Sequence, residues 1–387
     1  MNTLKITHIE FHTFAYDVHN LTNQDDYNGF NTVYKKGAIT KRGGSIMQIH
    51  TNEGITGEVV AGNNSQLQMF TPYLIGKNPL QRELIYNDVK RALRKYDRMS
   101  VGPVDIALWD IAGKLYNAPI YEMLGGYRKT LPAYASTYHG DENGGLDSPE
   151  AFANFAVQCK EMGYRAFKIH GWSHAPIQRE VANVLAVRKA VGLEMDLMLD
   201  PACEYETFAE ALRVGRACDE ANFFWYEDPF KDGGISFFAQ RKLRQMLKTP
   251  ILMGEHVRTL EPKVDMVIAE ATDYMRVNPT MDMGITGAIK VAHAAEGFGL
   301  DVEIHAPGPA QRHCMAAIRN ANYYELGLVH PNAPSSSPPI YTNYSDTLDA
   351  IDKNGCVPVP EGPGLGVEFD WDFIEKHRTG KAIYPEK

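Results

Sequence analysis

Three carboxylates carry the first chemical signal in this chain: Asp200, Glu227 and Glu255. Each closes a short apolar, β-rich run, at 196–200, 223–227 and 251–255. Carboxylates at the ends of otherwise apolar strands are costly to bury unless they are paired or bind a metal. Hard oxygen ligands with positions left for water suit a magnesium ion. The competing reading makes each one the N-cap of a following helix, which fits one strand end better than three in succession. Bases stand on the flanking runs. Lys168 and His170 end one run as K-x-H, both on one face because the strand period is two. His305 ends another. A divalent ion between them could hold a substrate carboxylate and stabilise the enolate formed as the α-proton leaves. Histidine serves as a base near neutrality. Lys168, beside a dication and a second cation, is expected to move towards its neutral form. Glu325 ends the last run and is a candidate for hydrogen bonding a substrate carboxylate oxygen. Tyr138, His256 and Arg258 follow strand ends and are candidate substrate contacts, Arg258 for a second carboxylate.

These residues need elements that bring their strand ends together. Runs at 131–136, 166–170, 196–200, 223–227, 251–255, 274–278, 302–305 and 323–326 start about 20 to 35 residues apart. Amphipathic helices fill most intervals, as at 149–162, 177–191, 209–221 and 285–294. This rhythm predicts an α/β fold: a (β/α)8 barrel of the triosephosphate-isomerase type, with its active site at the C-terminal strand ends. An open doubly wound sheet would prefer a glycine-rich first turn, and no G-x-G-x-x-G follows a strand. Ahead of the barrel, 5–14, 45–51 and 55–60 alternate like strands of an antiparallel meander, and 104–116 has helical spacing. The polar stretch between the first two strands holds Asn20, Asn23, Asp25, Asp26 and Asn28. A polar stretch of that length, about 17–44, predicts a loop that is a lid, a binding loop or disordered. The expected domains are 1–130, 131–345 with the active site, and a C-terminal segment 346–387.

Composition narrows the partners. The 387 residues carry a formal net charge of −9, which argues against broad nucleic-acid or anionic-membrane binding. No run reaches the roughly 18–20 apolar residues of a membrane span. No apolar secretory core is visible near Met1, and the five cysteines are scattered without a C-x-x-C, so a cytoplasmic protein with reduced thiols is expected. There is no sign of a nicotinamide, flavin or pyridoxal cofactor.

The chain resembles the enolase superfamily, in its mandelate racemase-like subgroup. The resemblance rests on T-N-E-G-I-T-G at 51–57, V-D-I-A-L-W-D-I-A-G-K at 104–114, L-G-G at 124–126, F-K-I-H at 167–170, W-Y-E-D-P at 225–229, M-G-E at 253–255 and M-G-I-T at 283–286. It implies an N-terminal α+β capping domain, a modified barrel and one magnesium ion. It also implies that 17–44 is the lid, that a tail, including Trp371, returns to the capping domain, and that the protein is a homo-oligomer. The residues matching the family's metal ligands are Asp200, Glu227 and Glu255. Lys168 matches the first lysine of K-x-K, His305 the seventh-strand histidine, and Glu325 the eighth-strand glutamate that contacts the substrate carboxylate.

Two positions depart from the family pattern. His170 stands where the second lysine of K-x-K would be, and Asn278 where the sixth-strand aspartate would pair with His305. Asn278 is expected to accept a hydrogen bond from the imidazole without stabilising its charge, making His305 a weaker base. Arg276 and Glu303, one layer deeper on neighbouring strands, are candidates for a buried pair beneath His305; the competing reading has one point elsewhere or both serve barrel packing. With no lysine at the sixth strand end, muconate-type cycloisomerisation is disfavoured. By resemblance to related sugar-acid dehydratases, in which a histidine at this strand end protonates the leaving hydroxyl, His170 implies dehydration: as imidazolium it would help a β-hydroxyl depart after His305 takes the α-proton. The polar lid fits a hydroxylated substrate. The reaction read from the sequence is dehydration of an aldonate or aldarate to a 2-keto-3-deoxy acid. Racemisation or epimerisation of a 2-hydroxy acid, and a fold retained without catalysis, are the alternatives.

Overall fold

Alternating apolar residues near the N-terminus build a sheet. Strands β1 (Ile6–Asn23), β2 (Thr32–Thr51) and β3 (Thr56–Val60) form an antiparallel meander. The computed structural model describes residues 4–24, 31–62, 65–99, 101–333, 335 and 337–385. Among the described residues, 17–23 and 32–44 are strand and not the loop their polarity implies. β1 and β2 run on through them, pairing Val18 with Thr40 and Asn23 with Thr32. Polar residues take the solvent face, while Val18 and Leu21 turn inward onto Tyr138. Gly44 makes the crossing of Phe14 feasible, since a Cβ there would lie 2.6 Å from the Phe14 ring. Asp25, Asp26 and Asn28 lie outside the described residues.

The eight β-rich runs become the barrel: β4 (Thr130–His139), β5 (Ala166–His170), β6 (Asp196–Asp200), β7 (Trp225–Glu227), β8 (Ile251–Met253), β9 (Tyr274–Val277), β10 (Asp301–Ile304) and β11 (Ala321–Val329). Each pairs in parallel with the next, and β11 pairs with β4 to close the ring. Tyr134, Ala166, Met198, Trp225 and Leu252 cluster in a buried layer, as expected of a packed barrel interior. β12 (Cys356–Pro358) adds antiparallel to the start of β4, and β13 (Arg378–Tyr384) joins the free edge of β1.

Local sequence sets the helix ends. Ser148 accepts from the Ala151 N–H to start the helix Pro149–Met162, and Gly163, at φ 111°, stops it. Thr207 and Glu210 form a capping box at the start of Phe208–Glu220. The helix Val101–Tyr116 is buried along most of its length between capping sheet and barrel. Its Gly102 passes so close to Thr280 that a Cβ would lie 2.1 Å from the Thr280 carbonyl oxygen. Asp105 of the same helix accepts from the Thr286 N–H and hydroxyl at 2.9 and 2.6 Å. The capping domain therefore grips the loop after β9, where Asn278 sits. Among the described residues no helix is long and apolar enough to cross a membrane.

Candidate active site and metal centre

Parallel strands deliver the side chains to one mouth. Asp200 and Glu227 are the last residues of β6 and β7, while Glu255 lies two past the end of β8. Each offers a carboxylate oxygen within 4.8 Å of the others. Two are fully buried, all three are hard oxygen donors, and together they fit a magnesium ion.

Cations hold this cluster of acids. Lys168 Nζ lies 3.0 Å from Asp200 Oδ2, 3.4 Å from Glu227 Oε2 and 2.9 Å from Glu325 Oε1. Burial alone would lower its pKa; Glu227 and Glu325 reverse that and hold it well above the usual lysine value. Asp200 is the converse. Burial would raise it, and Lys168 and His170 bring it well below the carboxylate range.

Arg276 takes a partner the sequence did not indicate. Its Nε donates to Glu227 Oε1 at 2.5 Å and its Nη2 to Glu227 Oε2 at 2.7 Å. The candidate pair with Glu303 does not form, although the two residues are backbone neighbours across β9 and β10. The guanidinium reaches towards the mouth, to an acid at a strand end. Glu303 turns to β11 instead and accepts from Asn322 Nδ2 at 2.7 Å. Burial pushes its carboxyl up to about 8, so near neutrality it places little negative charge beneath His305.

The base side also differs from expectation. Asn278 does not accept from His305. Its Oδ1 accepts from the Thr280 N–H at 2.8 Å, so its Nδ2 is the group facing His305 Nδ1, also at 2.8 Å. A backbone N–H can only donate, and this fixes the direction of the amide. Neutral His305 then carries its proton on Nε2, which lies 3.3 Å from Glu255 Oε2.

His170 shows the opposite pattern. Its Nδ1 lies 2.7 Å from the Thr137 carbonyl and its Nε2 3.1 Å from Asp200 Oδ2. His139 packs on it with ring centroids 5.0 Å apart, and burial lowers the His139 pKa to about 3. Glu325 is fully engaged, accepting from Ser136 Oγ, the Ala306 N–H and Lys168. Burial would raise its pKa, but Lys168 and Arg276 hold it well below the usual range.

The remaining candidates separate. Tyr138 is buried beneath the hairpin with Val18 and Leu21. His256 and Asp228 both lie against Gly234. Arg258 turns away to an ion pair with Asp97 of the capping domain, at 2.9 Å. The sequence reading also missed how the hairpin docks. Asn31 Nδ2 donates to Ser173 Oγ and to Glu204 Oε1, both at 2.8 Å. Ser173 in turn bonds Gln24. The strand periodicity of 31–40 was the available signal, masked by its polarity.

Two family models match the chain. The one for the N-terminal domain of mandelate racemase / muconate lactonizing enzyme covers residues 33–125, and the enolase C-terminal domain-like one covers 151–373. The chain belongs to the enolase superfamily. Within it, the chain groups with mandelate racemase-like proteins and sugar-acid dehydratases. D-xylonate dehydratase of Haloferax volcanii is 28% identical over 389 residues, spanning 88% of this chain and 87% of that protein. N-succinyl-L-Arg/Lys racemase of Bacillus cereus is 26% identical, over 86% of this chain and 89% of its own. A crystal structure of D-glucarate dehydratase from Agrobacterium tumefaciens, complexed with magnesium, superposes with a TM-score of 0.87 at 29% identity, covering 97% of this chain and 99% of that one. Members of the superfamily thus share this barrel and cap while differing in reaction.

Proposed function

We propose that this superfamily member is a magnesium-dependent hydro-lyase acting on a sugar acid, an aldonate or aldarate. It removes the proton α to the carboxylate and expels the β-hydroxyl, and the resulting enol tautomerises to a 2-keto-3-deoxy acid. The observation that carries this reading is His170. Both of its nitrogens face atoms that only accept, the Thr137 carbonyl and the Asp200 carboxylate. The ring satisfies both only as imidazolium, the form able to give a proton to a departing hydroxyl. The dehydratases among the relatives support the same substrate class.

Asp200, Glu227 and Glu255 would hold the magnesium ion, which supplies positive charge opposite the charge that develops on the substrate carboxylate. The chain's own groups do the rest. Arg276 fixes Glu227 through two parallel hydrogen bonds. Lys168 ties Asp200, Glu227 and Glu325 into one rigid wall. His305 receives the α-proton at Nε2. Its other proton must then sit on Nδ1, so the Asn278 amide turns its oxygen to the ring and the Thr280 N–H gives up its acceptor. On the other side, His170 releases its Nε2 proton to the hydroxyl, which leaves as water.

A second reading, racemase or epimerase, draws on Lys168 and His305 meeting different carboxylates, Asp200 and Glu227 on one side and Glu255 on the other. One experiment separates the two. The magnesium-loaded protein is incubated in D2O with a panel of mono- and diacid sugars, followed by semicarbazide assay and proton NMR. Keto acid from one substrate supports the hydro-lyase. Deuterium at C2 without keto acid points to the isomerase. Neither product nor exchange across the panel overturns the reading.

A further inference from the structure

The capping sheet carries a cluster that the proposed reaction does not use. His8 and Glu10 lie two residues apart on β1, so their side chains share a face. His50 of β2 is the direct cross-strand partner of His8. One donor atom from each of His8, Glu10 and His50 lies within 4.8 Å of the others. The two imidazoles are stacked, with centroids 4.2 Å apart and planes 3° from parallel.

Their outer nitrogens are already committed. Thr7 Oγ1 holds His8 Nδ1 and Thr56 Oγ1 holds His50 Nδ1, each at 3.0 Å. That leaves the Nε2 edges as the ligand side. His50 Nε2 is buried and has no hydrogen-bond partner. His8 Nε2 lies 3.9 Å from Glu10 Oε1. The other carboxylate oxygen, Oε2, is taken by Lys381 Nζ at 2.9 Å and His12 Nε2 at 3.1 Å.

We propose that His8, Glu10 and His50 form a second metal site, selective for a zinc-class divalent cation over magnesium. Two imidazole nitrogens and one carboxylate oxygen suit zinc, whereas the all-oxygen triad at the barrel mouth suits magnesium. A tetrahedral ion about 2.0–2.1 Å from each ligand needs ligand atoms roughly 3.3 Å apart and must lie in the plane of each imidazole, so the stacked rings must turn out of parallel on binding. Zinc ligands must be deprotonated. Burial and His8 lower the His50 pKa, and Lys381 and His12 lower that of Glu10 against its burial. The charges facing the site are Glu10 and Glu58 against Lys381, and Glu58 is shared with Gln48 and Lys114. The Glu10–Lys381 contact keeps the site near neutral overall. An ion there would clip β1 to β2, far along the sheet from the hairpin tip.

The test uses full-length protein saturated with magnesium, then titrated with zinc by calorimetry, with the two imidazole Hε1 signals followed by NMR. One zinc per chain is expected, shifting both signals and raising the melting temperature. His50→Gln and His8→Gln should each weaken binding at least tenfold while keeping magnesium-dependent activity, which also shows that they fold. Lys381→Met, by removing the competing cation, should tighten binding severalfold. Zinc uptake unchanged in both histidine variants, or abolished by Asp200→Asn, overturns the proposal, as does the absence of binding to the wild-type chain.

Discussion

The Asn278 amide donates to Nδ1 of His305 across 2.8 Å because its oxygen is already taken by the Thr280 N–H. This leaves the neutral ring's proton on Nε2, the edge that faces Glu255. To act as a base His305 must change tautomer and Asn278 must turn, stranding the Thr280 N–H. Leaving a fully buried donor unpaired costs about 1–3 kcal/mol, an upper bound for the half-buried Thr280. Asn278→Asp removes that cost, since two carboxylate oxygens can accept from Thr280 N–H and His305 Nδ1–H together. The variant should speed α-proton exchange roughly tenfold or more, about 1.4 kcal/mol per decade. Deuterium uptake into substrate, followed by NMR, measures it; a slower variant would show that His305 is not the base.

His170 is tested by elimination against exchange. His170→Asn keeps a polar side chain beside Asp200 but has no transferable proton. Keto-acid formation should fall by a factor of 100 or more, within the usual range for general acid catalysis of about 10²–10⁴. Exchange at C2 should persist. Equal loss of both would place His170 on the α-proton instead.

Arg276 is expected to matter for stability before catalysis. It is fully buried and is the bidentate partner of Glu227. Arg276→Met leaves the Glu227 carboxylate buried with only Lys168 near it, and breaking such pairs costs about 3–5 kcal/mol. Urea unfolding of the metal-free protein reads this directly. A loss below about 1 kcal/mol would mean that Lys168 alone suffices.

The raised carboxyl of Glu303 gives a pH signature. Its pKa is about 8 in the folded chain against a usual value of 4.5. A group raised on folding contributes stability that is complete below 4.5 and is lost as the pH climbs towards 8. The slope is about 1.4 kcal/mol per pH unit while the unfolded chain alone is ionised. Glu303→Gln should flatten the stability profile between about pH 5 and pH 8 relative to wild type. Unfolding midpoints across that window decide it, and parallel profiles would remove Glu303 as the cause.

The hairpin should act on binding. Asn31 bridges Ser173 and Glu204 next to the strand ends that carry His170 and Asp200. Asn31→Ala frees the hairpin and leaves Glu204 partly buried without that donor. KM should rise severalfold with little change in kcat. A change confined to kcat would point to a role in the chemistry itself.

The sequence by itself determined the barrel and the identity of its ligand-bearing strand ends. Apolar runs ending in Asp200, Glu227, Lys168-x-His170 and His305 recur at barrel spacing, and parallel strands have only one mouth to bring them to. Strand period also placed Arg276 and Glu303 in a layer below. What it could not decide was partner and direction. Arg276 and Glu303 are adjacent in the sheet, yet the long guanidinium reaches Glu227, 49 residues away in sequence, where it makes two parallel hydrogen bonds, while Glu303 accepts from Asn322. Asn278 carries a donor and an acceptor on one flat group, and only the backbone N–H of Thr280 chooses which one His305 meets. The stretch 17–44 looked like a loop because one face of each strand is polar. It became a hairpin because Val18, Leu21 and Tyr138 meet beneath it, a contact between residues more than a hundred positions apart that no local pattern encodes.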